Sequence, residues 1–230
     1  MLMLSIMVGL SVTIWTLVAY RPPVSEIDAR KEREGQQELS RAIAERVGGF
    51  ENMDARIRGL LSSGSGDEAL RLAREWARGV QDDPVAGYWC IALLIAAGDH
   101  ERAQRIATRR FELVVNDTLK KPVDHEAWYH LGWYERALGQ HHEATHSFEY
   151  ASELLRASKP RRMSEAVRLY NIACYETLAG RTESGLASLE AAVAAGWNDV
   201  AWLCADPDLL SLREEPRFVE LTLRLTTQGE

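Results

Sequence analysis

Residues His125 to Arg156 read HEAWYHLGWYERALGQHHEATHSFEYASELLR. Two apolar-periodic segments flank Leu138-Gly139-Gln140, a turn signal of the kind that joins antiparallel helices. Trp128, Leu131 and small Gly132 share one face of the first segment, and Ala144, Phe148 and Ala151 share one face of the second. Small Gly132 and Ala144 permit close helix approach, and Phe148 fills the space between. The arrangement recurs: Gly98, Gly139 and Gly180 stand 41 residues apart, as do Tyr88, Tyr129 and Tyr170. A looser copy, Gly64-Ser-Gly-Asp-Glu-Ala69, lies 34 residues before Gly98.

The offsets W-x2-L-G and A-x3-F-x2-A resemble the tetratricopeptide repeat, a helix–turn–helix unit of about 34 residues. The resemblance implies an all-α, tetratricopeptide-like helix–turn–helix solenoid of three to four hairpins over residues 50–198. Stacking neighbours to bury each exposed face is what makes such a solenoid stable. The expected pairs are Asn52–Leu61 with Asp67–Val80, Val85–Ala97 with Glu101–Val115, Glu126–Leu138 with His142–Ala157, and Ser164–Ala179 with Thr182–Ala195. The excess of 41 over 34 is expected around Val114–Asp124 and Ala157–Met163. Residues 199–230 resemble the closing segment of such arrays, with Asp206-Pro-Asp208 capping a short helix and Pro216 opening a last one.

The same resemblance assigns a partner-binding groove to positions of each first helix. Carried over by register, these are Tyr88, Tyr129, Trp133, Arg136 and Tyr170, with Ala92, Ile95, Glu126, Cys174 and Thr177 beside them. Rigid amphipathic aromatics and arginine are the residue types that dominate interface hot spots. Family members that clamp acidic chaperone C-termini carry Lys and Asn in the groove. Here those positions hold Tyr88 and Ala92, then Tyr129 and Trp133, so that clamp is missing.

The first twenty residues, MLMLSIMVGLSVTIWTLVAY, carry no charged side chain. As a helix they reach about 30 Å, the thickness of a bilayer's hydrocarbon core. No basic segment precedes them and no A-x-A site precedes Arg21, so residues 1–20 read as an uncleaved single-pass anchor. Arg21, Arg30, Lys31 and Arg33 follow it, which places the remainder on the cytoplasmic side. Residues 21–49 read as a charged juxtamembrane spacer ending at Gly48-Gly49.

A net charge of −7 argues against nucleic-acid binding. Cys90, Cys174 and Cys204 match no metal spacing and read as reduced thiols. His142-Glu143-Ala144-Thr145-His146 spells H-E-x-x-H, which on a helix can hold zinc with the glutamate as general base. Ala144 and Phe148 already serve the repeat, which puts His142 and Glu143 at an exposed helix start. A zinc-dependent hydrolase is therefore the lesser reading, and no cofactor or metal is expected. Arg109-Arg110, Lys120-Lys121 and Arg161-Arg162 are basic pairs near hairpin ends, suited to solvent or to an acidic partner. The sequence thus points to a non-enzymatic, membrane-tethered scaffold for a protein or peptide partner. The alternative is an accessory subunit held in a larger membrane complex by its single helix.

Overall fold

Each hairpin is punctuated by the same chemistry. Gly64, Gly98, Gly139 and Gly180 all sit at φ between 75° and 78°, where a side chain would strain the turn. Aspartates open several of the helices: the Asp83 carboxylate accepts the Val85 N–H, Asp99 that of Arg102, and Asp124 that of Glu126.

This computed structural model describes residues 53–79, 83–158 and 163–228. The expected anchor, residues 1–20, and spacer, residues 21–49, lie outside the described residues. Among the described residues no helix is long and apolar enough to cross a membrane. Four hairpins follow one another: α1 (Met53–Ser62) with α2 (Gly66–Gly79), α3 (Pro84–Ala96) with α4 (His100–Lys120), α5 (His125–Ala137) with α6 (His141–Ala157), and α7 (Glu165–Leu178) with α8 (Thr182–Ala194). The tail forms α9 (Val200–Ala205), a 3₁₀ turn η1 (Pro207–Leu212) and α10 (Pro216–Gln228).

Helix ends match the sequence reading to within a residue or so, with one difference. The second helix of the α3/α4 hairpin runs on to Lys120, five residues beyond the expected Val115. This extension takes up the first 41-residue excess. The Thr118 hydroxyl ties the added turn to the next hairpin through the Ala127 carbonyl.

Packing follows the small-residue positions. A Cβ on Gly132 would stand 2.6 Å from the ring of Phe148, which is fully buried. A 41-residue polar pattern joins the apolar one. Ser147 donates to Glu135 at 2.6 Å inside α5/α6, and Ser188 donates to Glu176 at 2.9 Å inside α7/α8. Arg156 of α6 completes the second pair, 2.6 Å from Glu176. The corresponding positions of α3/α4 are Leu94 and Ile106, which are apolar.

Residues 199–228 do more than close the last hairpin. The tail crosses the side lined by the first helices, with η1 against α3 and α7 and α9 against α1. Trp202 of α9 meets Trp89 of α3 edge-on at 6.2 Å, and the Arg58 guanidinium of α1 lies 4.6 Å from the Trp202 ring. Asp54 anchors this junction by accepting from both Trp89 Nε1 and Arg58 Nε.

Candidate functional site: a groove filled by its own tail

The first helices α3, α5 and α7 bring the expected groove residues together. Tyr88 and Tyr129 meet with ring centroids 5.1 Å apart, and Tyr88 lies 6.2 Å from Trp133. Arg136 lies over the Trp133 ring at 5.4 Å and donates to the Leu178 carbonyl of α7. Tyr170 stands in the next hairpin, stacked on Trp197 at 3.8 Å with planes 12° apart.

An open binding surface and a seam between repeats are the two readings these positions allow, and the structure shows them covered. Tyr88, Tyr129, Trp133 and Tyr170 are each at most 8% exposed, and Arg136 is half-buried. The physical reason is the tail. Tyr129 Oη donates to Asp208 Oδ2 at 2.8 Å, and Tyr170 Oη donates to Asp206 Oδ2 at 2.8 Å. Asp206 also caps η1 by accepting the Asp208 N–H at 2.9 Å, and Cys174 Sγ lies 3.8 Å from the same carboxylate. These aspartates are groove residues that sequence reasoning missed. The sequence marks Asp206 as a helix cap, which it is, but a cap signal is local and names no distant partner.

Burial pushes both carboxyl groups above the ordinary aspartate range, Asp208 the further because Asp206 stands beside it. The tyrosine hydroxyls and the nearby Arg58 charge work the other way. Burial pushes Tyr88, Tyr129 and Tyr170 up, so the hydroxyls of Tyr129 and Tyr170 stay protonated as donors to the two aspartates. Asp208 Oδ1 and the Trp133 indole N–H are buried without a hydrogen-bond partner. They border two remaining spaces. One, of about 240 Å³, is lined by Arg58, Tyr88, His130 and both aspartates. The other, of about 410 Å³, lies between Trp133, Arg136 and the outer edge of η1, where Leu210 is 46% exposed.

Cys174, Asp206 and Asp208 place three ligand-type atoms within 4.8 Å of one another. Their hydrogen bonds explain the convergence: Asp206 Oδ2 already serves Tyr170 and Cys174, and Asp208 Oδ2 serves Tyr129. The H-E-x-x-H residues stand elsewhere, exposed on α6. The His142 and His146 rings are 4.5 Å apart, and His146 lies 3.6 Å from Glu149. Among the described residues no third ligand joins that pair in a metal-sized group.

Hairpins of close-packed helices on one side and a self-occupied groove on the other define the class: an all-α repeat array sealed by its own C-terminal segment. No protein-family model matches the chain. A chloroplastic protein of Arabidopsis thaliana is 31% identical over 124 residues, covering 51% of this chain. The matched part spans 36% of that relative's length. Among solved structures, MamA from residue 41 onward of Desulfovibrio magneticus RS-1 matches at 20% identity with a TM-score of 0.35. That match covers 84% of this chain and 94% of the other. A MamA RS-1 double mutant matches at 20% identity and a TM-score of 0.33, over 78% and 96% of the two chains. Superpositions this loose have no bearing on function.

Proposed function

We propose that the protein is a non-catalytic scaffold, tethered by residues 1–20 with its repeats on the cytoplasmic side, whose groove takes a segment of a partner protein. One observation carries this reading. The groove already holds a segment of its own chain, Asp206-Pro-Asp-Leu-Leu210, by side-chain hydrogen bonds from Tyr129 and Tyr170. A partner segment with carboxylates followed by apolar residues offers the same donors the same acceptors. It binds in competition with the tail, so the effective concentration of the tethered segment sets the affinity an outside competitor must reach.

The test uses a labelled peptide, Asp-Pro-Asp-Leu-Leu-Ser-Leu, and the full chain in mild detergent. Wild type, with its groove filled, binds weakly. Asp206→Ala with Asp208→Ala loosens the tail and admits the peptide, and adding Tyr129→Phe with Tyr170→Phe abolishes that gain. If the loosened variant takes up no more peptide than wild type, the groove is only a structural seam. Alkaline carbonate washing tests the tether: release of the intact chain from membranes refutes it.

A further inference from the structure

The second helices α2 and α4 flank a separate cleft of about 540 Å³, bordered by six arginines: Arg74, Arg78, Arg102, Arg105, Arg109 and Arg110. Arg74 and Arg78 lie one turn apart on α2, and Arg102, Arg105 and Arg109 follow one stripe of α4. Among the described residues no acidic side chain lines the cleft. Arg102 pairs with Asp99 and Arg105 with Glu101, both on their own helix or its cap. Arg110 is anchored to the Ala77 carbonyl at 2.7 Å. Among the described residues Arg74, Arg78 and Arg109 form no salt bridge. Such a concentration of positive charge in a chain of net charge −7 is a local departure from the whole.

The repeat shows what is missing. Where α6 and α8 flank α7, the cationic Arg156 meets the buried carboxylate of Glu176. In the α3/α4 hairpin the residue at that register is Leu94, and Ile106 replaces the serine. The cleft therefore has an apolar floor of Leu94, Ile106 and Cys90, an exposed Leu113 at its rim, and walls in which Arg74, Arg78 and Arg109 form no salt bridge among the described residues. Arginine suits this position because its planar fork takes carboxylates two-pronged and is weakly hydrated.

We propose that this cleft is a second docking surface, on the opposite side from the tail-filled groove, for an acidic segment of a partner protein with apolar side chains set among its carboxylates. The partner's carboxylates take the place that Glu176 holds toward Arg156, and its apolar side chains cover Leu94, Ile106 and Leu113. Binding is steered by charge and weakens as salt rises.

The probe is a fluorescein-labelled dodecapeptide of Glu, Asp and Leu, titrated into the full chain in mild detergent, beside its Gln/Asn/Leu counterpart, inorganic polyphosphate and phosphatidylglycerol vesicles. The acidic peptide is expected to bind and its amide counterpart not. Arg74→Glu with Arg109→Glu should weaken the peptide at least tenfold, roughly the scale of losing one close charge pair. Lys120→Glu with Arg224→Glu, two exposed reversals outside the cleft, should change it less than twofold at equal salt, a bound set by screening at roughly a Debye length. The groove variant Tyr129→Phe with Tyr170→Phe should retain binding, which separates this surface from the groove. Equal losses in the cleft and control reversals overturn the proposal. So does binding of polyphosphate or vesicles at the cleft without the peptide, or loss of binding in the groove variant with helical circular dichroism intact.

Discussion

Tyr129 and Asp208 are 79 residues apart in sequence, yet the tyrosine hydroxyl donates to the aspartate at 2.8 Å in a buried setting. The other oxygen of that carboxylate has no hydrogen-bond partner, so the Tyr129 hydroxyl is its one side-chain donor, beside the more distant charges of Arg58 and Arg136. Tyr129→Phe leaves the carboxyl group without its donor and should cost about 1–3 kcal/mol. Tyr129→Phe with Asp208→Asn should cost less than the sum of the two single changes. Urea unfolding measures both, and strictly additive effects would show that the hydrogen bond does not hold the tail.

Gly132 tests the hairpin register. Its Cβ would meet three atoms of the Phe148 ring at 2.6–2.8 Å, and that ring has no exposed side toward which to retreat. Gly132→Ala should lower stability by about 1–3 kcal/mol through overpacking, and Gly132→Leu by more. Glu143→Ala, on the exposed start of α6, should be near neutral. Melting temperatures compare them, and an unchanged value for Gly132→Leu would contradict the packing.

The hairpins were legible because their contacts are short in sequence and their residue types are distinctive. Gly132, Phe148 and the turn glycines each have one role, and that role repeats at a fixed interval. The groove was legible as a set of residues but not as a state. Recurring Tyr88, Tyr129 and Tyr170 fit an open surface and a buried seam equally well, since both favour amphipathic rings. Only the partner of the hydroxyl distinguishes them, and the tail aspartates are 36 and 79 residues away from Tyr170 and Tyr129. The pairs Glu135–Ser147 and Glu176–Ser188 were also present in the sequence at the 41-residue interval. Charged and hydroxyl residues on a helix ordinarily mark its wet face, so the repetition was the one available signal that they turn inward.

Glu135 gives a pH dependence of definite sign. Burial pushes its carboxyl from 4.5 up to about 7, and the Ser147 hydroxyl only partly offsets this. Between those values the folded chain keeps a proton that the unfolded chain has released, so stability falls as pH rises from about 4.5 to about 7. Asp206 and Asp208, also raised, contribute in the same direction. Buried His130 acts oppositely: burial lowers it from 6.5 to about 4, so stability grows as pH rises across that interval. Glu135→Gln should therefore flatten the decline toward pH 7 while leaving the acid limb due to His130. Thermal unfolding against pH reads the difference between variant and wild type. A difference independent of pH would mean that Glu135 is ionised throughout.

The three cysteines report whether the tail can leave the groove. Cys204 is exposed, and Cys90 and Cys174 are buried. Burial pushes the Cys90 thiol up to about 11 despite neighbouring Arg110, Arg74 and Arg78. Cys174 is raised by burial and by the adjacent Asp206, which also covers it. Reaction requires thiolate and access, so an aromatic disulfide reagent should titrate one thiol rapidly in native wild type and all three after unfolding. Asp206→Ala with Asp208→Ala removes both acceptors that hold the tail to Tyr170 and Tyr129. Cys174 should then react as a second native thiol, while Cys90, fully buried on α3, keeps the environment it has in wild type and stays protected. Adding the Asp-Pro-Asp-Leu-Leu-Ser-Leu peptide to that variant should slow Cys174 again without changing Cys204. Continued protection of Cys174 in the loosened variant would mean that the tail is a permanent part of the core, and the groove could not then exchange it for a partner.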